Sequence, residues 1–554
     1  MRPTWLRPTL SLATLNLSVA LWLVLALNLP FWRALWQALG GFGAAPAGYL
    51  LTLPLFVLAW VWLILELLTW GRAARPVLAL VLLCSAAAGY FIQAYGIVLD
   101  RGMLTNLVET DPAEATELLS WRLLGWMLLF GGLPLLLLWR VRTPASRWPR
   151  QLLTKGIVLA ALAGAMLLLV APFFQSYASL MRNHRDLRPQ LVPTNFLAAS
   201  LSLARARVTP AQAFEVVGGD ARRGAGAAGQ KPRLLLLVVG ETARAANFSL
   251  NGYARPTNPE LAEFAAQNPT ELVSLRQVAS CGTATAVSLP CMFLDPGRSG
   301  FEDGMAARRS SLLDVLQSAG VAVLWRDNNS GCKGVCDRVP SEDLSALKLP
   351  ALCSSGECWD EVLLHGLKQR VAQLDRDTVV VLHMKGSHGP AYHLRVPPAF
   401  EHFKPVCRTN QLDQCAREDI VNAYDNTLRY TDHVLASSLA LLKQNAARVD
   451  GALLYVSDHG ESLGENGLYL HGLPYAMAPR EQTHVPMLLW LSAAMRERGR
   501  IDTGCLQARR DEALSHDHLY HSVLRLMDVH TTLYRGELDL FAPCAGARPG
   551  VAPG

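Results

Sequence analysis

The stretch SCGTATAVSLPCMF, residues 280–293, carries two threonines and two serines around a pair of cysteines ten residues apart. A buried strand does not accommodate so many hydroxyls, and a mobile loop needs no covalent clamp. Ser280, Thr283, Thr285 and Ser288 are therefore candidate nucleophiles. A hydroxyl is a weak nucleophile at neutral pH until a base or a metal lowers its pKa. The residue types that do so stand elsewhere in the chain. Glu241 ends the apolar run RLLLLVVGE, Asp458–His459 follows LLYVS, His383 and His388 bracket MKGS, and His471 lies in LYLHG. Each alone has a bland reading, as a solvated turn residue or a structural histidine. Together, two carboxylates and several histidines suit zinc, which takes oxygen and nitrogen ligands. Glu241, Asp458 and His459 supply three ligands and leave a fourth position, which the hydroxyl-rich turn would fill. Residue types alone do not rank Thr285 above Thr283.

The elements that must carry these residues are legible. RLLLLVVGE, VAVLWRD, DTVVVLHMKGSHG and GALLYVSDHGE each read as a strand buried on both faces and running into polar residues. SLLDVLQSAG reads as a helix and turn, and a longer helix spans about 418–444. Strands alternating with helices predict an α/β domain with a mostly parallel sheet. Sites in such sheets lie beyond the carboxyl ends of the strands, where Glu241, His383 and Asp458–His459 fall.

The first third of the chain is different. Of the 554 residues, 51% are hydrophobic, and the mean hydropathy of +0.20 comes from long apolar runs before residue 180. Five segments, near 14–36, 48–70, 77–98, 121–139 and 156–177, are long enough to cross a hydrocarbon core, which takes about 20 residues of helix. The first lacks a small-residue cleavage site and four more follow, so it reads as an anchor rather than a signal peptide. Arg2 and Arg7, then Arg72 and Arg75, then Arg140 to Lys155 fall on one side of this topology, opposite the acidic stretch from Asp100 to Glu117. The positive-inside rule puts the N-terminus in the cytoplasm and everything beyond residue 180 outside. The net charge of +6 is too small and dispersed to argue for nucleic acid. Residues 173–205 read as an interfacial segment along the outer leaflet, and 206–232 as a linker. The expected division is a membrane domain, 1–178, a bridging helix and linker, 179–232, and an exported catalytic domain, 233–554.

Cysteine usage agrees with export. Of eleven cysteines only Cys84 lies in a span. The others fall as close couples, Cys281/Cys291, Cys332/Cys336, Cys353/Cys358 and Cys407/Cys415, leaving Cys505 and Cys544 for each other. An even number outside the membrane suits a disulfide framework in an oxidising compartment, although spacing does not fix connectivity. A zinc ribbon from Cys332, Cys336, Cys353 and Cys358 would need C-x2-C spacing, which is missing.

The runs VVGETARAANFSLNGYARPTNP, SCGTATAVSLPCMF, WRDNNSGCKGVCD, LHMKGSHGPAY and SDHGESLGENGLYLHG resemble the motif set of the bacterial phosphoethanolamine–lipid A transferases. That family includes the mobile colistin-resistance enzymes, and the resemblance runs along essentially the whole chain. It implies five membrane spans followed by an α/β/α sandwich of the alkaline-phosphatase/sulfatase type. It also implies that Thr285 is the nucleophile and binds zinc with Glu241, Asp458 and His459. Thr285 would take phosphoethanolamine from phosphatidylethanolamine and pass it to lipid A, in a ping-pong reaction. By the same resemblance His388 and His471 contact substrate, with a second zinc near them left open, and His383, at its strand end, is a further substrate-binding candidate. Asn329, Ser330 and Lys333 line the substrate pocket, Glu461 touches the metal site, and Asn106 and Glu114 meet the donor lipid from the outer loop. The implied setting is the bacterial inner membrane, with a periplasmic catalytic domain, a monomer, and lipid A or lipopolysaccharide as acceptor. Polymyxin resistance follows, because a cationic headgroup masks the phosphates such peptides bind.

Four other readings compete. A sulfatase needs a C/S-x-P-S/R context, and SLPCMF has a different order. Glycerol-phosphate transferases of teichoic-type polymers share the spans and the threonine, but not the paired cysteines or VVGETAR. Sibling enzymes acting on a lipopolysaccharide core sugar or a periplasmic glucan remain the alternative acceptor class. A non-catalytic membrane sensor would be a degenerate copy and would have lost ligands, yet Glu241, Thr285, Asp458, His459, His388 and His471 are all present.

Overall fold

Apolar chain in hydrocarbon must satisfy its own backbone and therefore coils into helices. In the computed structural model, which describes residues 8–39, 46–99, 103–105, 107, 118–144, 147–208, 213–224, 230–354 and 357–546, the first third does so. Its helices are α1 (Leu12–Trp22, continuing in a wider turn to Leu27), α2 (Leu29–Ala38), α3 (Ala47–Leu68), α4 (Ala74–Tyr95), α5 (Trp121–Arg140) and α6 (Trp148–Val170). Among the described residues four helices are long and apolar enough to cross a membrane. The expected first span, 14–36, is a pair of helices bent by 65°, and taken together the pair makes the fifth. The break has a local cause: Pro30 opens α2, and Asn28 before it leaves helical geometry at φ −107 and ψ 25. Asn106, Glu114 and the acidic stretch around them lie outside the described residues.

Asn28 also serves a distant segment. Its Nδ2 donates to Val192 O, and its Oδ1 accepts from Val192 N, both at 2.9 Å. Val192 sits in the turn between α7 (Phe174–Asn183) and α8 (Thr194–Val208) and is fully buried. Next to it, Trp60 Nε1 donates to Thr194 Oγ1 at 3.1 Å. Trp60 stands thirteen residues after Ala47, about 20 Å along α3 at 1.5 Å per residue. The segment expected to lie along an interface thus returns into the helix bundle at 192–194. Non-helical backbone is tolerated at such depth only where protein groups partner it, and Asn28 partners both groups of Val192. In the same unit Lys155 Nζ pairs with Glu66 Oε2 at 2.7 Å, buried, and ties α6 to α3.

The chain forms two compact units, Met1–Leu104 with Leu118–Thr209, and Thr105–Glu117 with Pro210–Gly554. The described part of the expected linker is not free chain. Glu215 exchanges main-chain hydrogen bonds with Arg308 and Ser310, and Arg222–Arg223 pair with Val529–His530. Main-chain pairing needs no apolar periodicity, so the composition of this stretch concealed it.

The second unit is built on an eight-stranded sheet. Its strands are β1 (Arg233–Gly240), β2 (Leu272–Ala279), β3 (Ala322–Asp327), β4 (Ser341–Asp343), β5 (Thr378–His383), β6 (Asp450–Ser457), β7 (His484–Leu491) and β8 (Leu514–Ser515). The order is β8-β2-β7-β6-β1-β5-β3-β4, and β7 alone of the eight runs against the others. Central β1 is covered on both faces, and Leu234 to Val239 are fully buried, which accounts for its unbroken apolar run. The 28-residue helix Arg417–Gln444 packs against β6 and β1. The opposite layer includes α9 (Thr285–Met292) and the helix Asp517–Leu526, whose apolar residues join Leu235, Leu237 and Val239 in one core.

Five disulfides join Cys281–Cys291, Cys332–Cys336, Cys353–Cys358, Cys407–Cys415 and Cys505–Cys544, and Cys84 is free. Denatured without reductant, the chain should therefore take up one equivalent of an alkylating reagent, on Cys84. Two or more labelled thiols would contradict this pairing.

Candidate active site

Strand register assembles the site. β1 is flanked by parallel β6 and β5, with Gly240 opposite Ser457 and Val239 opposite His383, and β3 brings Asp327 opposite His383. The residues at the carboxyl ends of four adjacent strands therefore meet: Asp458–His459, Glu241, His383 and Asp327. Glu241, His383, Asp458 and His459 have no solvent exposure.

Glu241 Oε1 lies 3.2 Å from His459 Nε2, and Asp458 Oδ2 lies 3.3 Å from the same nitrogen. Ligand-type atoms of the three residues all fall within 4.8 Å of one another. His459 Nδ1 donates to Gly460 O at 2.9 Å, since a carbonyl only accepts, and this turns Nε2 toward the carboxylates. Asp458 Oδ1 accepts from Thr242 N and His459 N, while its buried Oδ2 has no hydrogen-bond partner. An orphaned carboxylate oxygen beside a second buried carboxylate and an imidazole nitrogen fits a divalent cation such as zinc. The electrostatics agree. Burial pushes the Asp458 carboxyl up, and the nearby Glu241 charge adds to that. Burial opposes the charged form of Glu241 too, but the His459 hydrogen bond and charge outweigh it and hold the carboxyl low. Burial would lower His459, but Asp458 and Glu241 raise it above the usual range. The cluster is a place where positive charge is stabilised.

The backbone next to Glu241 carries strain at one point. Thr242 has φ +53, rare for a β-branched residue. It is held there because its N–H donates to Asp458 Oδ1 and its carbonyl accepts from Tyr424 OH.

Geometry separates the four hydroxyls. Thr285 Oγ1 donates to Glu241 Oε1 at 2.9 Å and lies 3.4 Å from His459 Nε2. Thr283 Oγ1 donates to Leu473 O at 2.5 Å, Ser280 Oγ to Gly282 O at 2.5 Å, and Ser288 Oγ to Asp458 O. Thr285 is the first residue of α9, where the helix dipole favours an anion. The Cys281–Cys291 bridge ties the turn before it to the last turn of the same helix. Gly282 allows the turn to close, since a Cβ there would meet Val287 Cγ1 at 2.9 Å and Ser288 N at 3.0 Å.

The other expected residues surround this centre. Asn329 Nδ2 donates to Glu241 Oε2 at 2.7 Å and lies 3.4 Å from His383 Nε2. His383 Nδ1 faces Asp327 Oδ2 at 2.9 Å, and Asn329 is the side chain that holds Glu241. On the same loop Ser330 N donates to Asn329 Oδ1, and Lys333 Nζ to Ser330 O. Glu461 Oε2 accepts from His471 Nδ1 at 2.7 Å and its Oε1 from Tyr392 OH at 2.6 Å. The His471 ring lies 4.3 Å from that of His459 and 5.6 Å from that of His388, centroid to centroid.

Sequence reasoning missed Asp327, Tyr392 and His516. His516 is fully buried; its Nε2 donates to Ser457 O at 2.9 Å and its Nδ1 accepts from Cys281 N at 3.1 Å. It thereby joins the turn before α9 to the last residue of β6, directly before Asp458. Burial pushes its pKa down to about 3, so the ring is neutral, as one donor and one acceptor require. Its segment, ALSHDHLYH, carries no strand-end signal. His516→Phe leaves two buried backbone groups unpaired at about 1–3 kcal/mol each. Urea unfolding should show that loss, and His516→Gln, which keeps a donor and an acceptor, should recover part of it. An unchanged midpoint for the Phe variant would show that the bridge carries no weight.

Comparison with known proteins agrees with the two-part build. Residues 57–208 match the family described as phosphoethanolamine transferase EptA/EptB, and residues 233–529 match the sulfatase family. Phosphoethanolamine transferase EptA of Escherichia coli (strain K12) is 42% identical over 541 residues, 97% of this chain and 98% of that protein. Phosphatidylethanolamine transferase Mcr-1 of Escherichia coli is 38% identical over 537 residues, 95% of this chain and 96% of that protein. Among solved structures, the integral membrane protein lipooligosaccharide phosphoethanolamine transferase A (EptA) from Neisseria meningitidis superposes with a TM-score of 0.93 at 37% identity. The match covers 97% of this chain and 100% of that one. The chain thus belongs to the phosphoethanolamine transferase family, with a sulfatase-type α/β domain following its apolar helices.

Proposed function

We propose that the chain transfers phosphoethanolamine from phosphatidylethanolamine to a phosphate of lipid A, by way of an ester on Thr285. One observation carries the reading: of four hydroxyls in the clamped turn, Thr285 alone reaches Glu241 and His459. In the first half-reaction a bond forms between Thr285 Oγ1 and phosphorus while the bond from phosphorus to the diacylglycerol oxygen breaks. The threonine proton ends on that oxygen, and diacylglycerol leaves. In the second, an oxygen of the lipid A phosphate attacks the same phosphorus, the bond to Oγ1 breaks, and the threonine regains a proton.

The chain's own residues have separable parts in this. Asn329 holds Glu241 Oε2, leaving Oε1 to orient the Thr285 hydroxyl. Glu461 fixes the Nδ1 proton of His471, so Nε2 is the atom that gives and takes the travelling proton. Glu241, Asp458, His459 and Thr285 would hold zinc; a second ion near His388 and His471 would take His471 Nε2 in place of the proton. Zinc bound there supplies Lewis-acid charge for the threonine oxygen and for phosphoryl oxygens. Five disulfides argue for an oxidising compartment, here the periplasm, with the helices in the bacterial inner membrane and the N-terminus cytoplasmic. Masking lipid A phosphates would confer polymyxin resistance.

Lipid A from cells expressing the protein should gain the mass of phosphoethanolamine. Thr285→Val should lower transfer by roughly 10³-fold or more, whereas Thr283→Val, whose hydroxyl faces Leu473 O, should keep most of it. Transfer by the Thr285 variant, or phosphoethanolamine found on the Thr283 side chain, would refute the assignment. Chelator-stripped protein should unfold at a higher temperature when zinc is restored, reflecting about 2.7 kcal/mol of stabilisation at a hundred times Kd. Asp458→Asn should lose most of that rise, and no zinc response in the unsubstituted protein would remove the metal from this reading.

A further inference from the structure

A cavity of about 590 Å3 opens between α2, α3, α7 and α8. Its walls are apolar, with Leu53 and Val57 on one side and Leu180, Ala198 and Ala199 on the others. Trp60 also lines it, which carries the cavity to about 20 Å along α3. The polar groups at its edge are already committed: Thr194 Oγ1 accepts from Trp60, and Asn195 Nδ2 donates to Pro189 O. Water would find few partners there, and a void would forfeit the dispersion contacts of its whole lining. Methylene groups are the chemistry that suits such walls. At roughly 30 Å3 per carbon, about the share of a water molecule, the space takes a single chain of about sixteen to twenty carbons.

One lining residue is charged. Arg188 lies in the turn between α7 and α8, held by the fully buried Leu187 before it, and is itself exposed. Its guanidinium makes no ion pair among the described residues. A cation at the edge of an apolar slot between membrane helices suits a lipid phosphate.

We propose that this cavity seats one acyl chain of a glycerophospholipid from the surrounding bilayer, with the lipid's phosphate on Arg188. The second chain lies outside, against the helices. The lipid completes the packing between α3 and the returning segment α7–α8. The proposal rests on reading these helices as membrane spans, and its test reads bound lipid, not transfer.

The full chain, extracted in mild detergent, should retain close to one glycerophospholipid per protein in native mass spectrometry. Arg188→Gln, at an exposed position, should lower that fraction at least fivefold, and Ala199→Trp should displace the lipid by filling the space. Circular dichroism checks that both variants keep their helices. In nanodiscs of phosphatidylethanolamine and phosphatidylglycerol, benzoylphenylalanine in place of Ala198 should crosslink to an acyl chain well above the same probe at Leu168, which is 76% exposed on α6. Equal crosslinking at the two positions, equal retention in wild type and Arg188→Gln, or lipid A as the retained species would each overturn the proposal. A crosslinked lipid in a chain without transfer activity would leave the cavity standing and remove the catalytic reading instead.

Discussion

Glu241 and Asp458 place two carboxylates side by side with no solvent exposure. Burial and mutual repulsion both oppose their ionisation, so the surroundings must stabilise positive charge between them. Everything near the sheet edge answers to that demand. The His459 ring is turned by Gly460 O so that Nε2 faces both carboxylates, and Asn329 occupies the second oxygen of Glu241. Thr242 stays in a left-handed conformation because its amide serves Asp458. Strain at Thr242 and the orphaned Asp458 Oδ2 are two sides of one arrangement, in which local comfort is given up to keep ligand atoms aimed inward.

The turn that carries Thr285 is tied to that centre more than once. Ser288 Oγ donates to the carbonyl of Asp458, and His516 spans Cys281 N and Ser457 O. The Cys281–Cys291 bridge then closes the turn onto its own helix. Hydrogen bonds and a disulfide thus join the turn that carries Thr285 to the ends of β1 and β6. The histidines on the far side are held differently. His471 hangs on Glu461, and Glu461 in turn on Tyr392, a hydrogen-bonded relay through side chains from separate loops.

Much of this was legible in the chain. Strands buried on both faces leave unbroken apolar runs, so their ends, and with them Glu241, His383 and Asp458–His459, could be located directly. Direction within a turn could not. Thr283 and Thr285 are two residues apart, and only the entry into α9 decides which faces Glu241. His516 was invisible because it acts through two backbone partners brought near by tertiary structure, on a segment with no pattern of its own. Residues 213–224 pair through main-chain groups that composition does not report. The segment 173–205 mixes polar and apolar residues, and that pattern suits an interface as well as a hairpin lodged among helices.

The clasp between Asn28 and Val192 couples the two ends of the helical unit. In a bilayer the Leu191–Pro193 turn cannot settle among the spans until something takes its amide and carbonyl, and Asn28 is that partner. The break between α1 and α2 and the seat of the α7–α8 turn are therefore coupled, although some 160 residues separate them in the chain. The side chain that marks the flaw in the first span is the receptor for the last piece of the bundle. A chain with an uninterrupted first helix would have to find other partners for both groups of Val192.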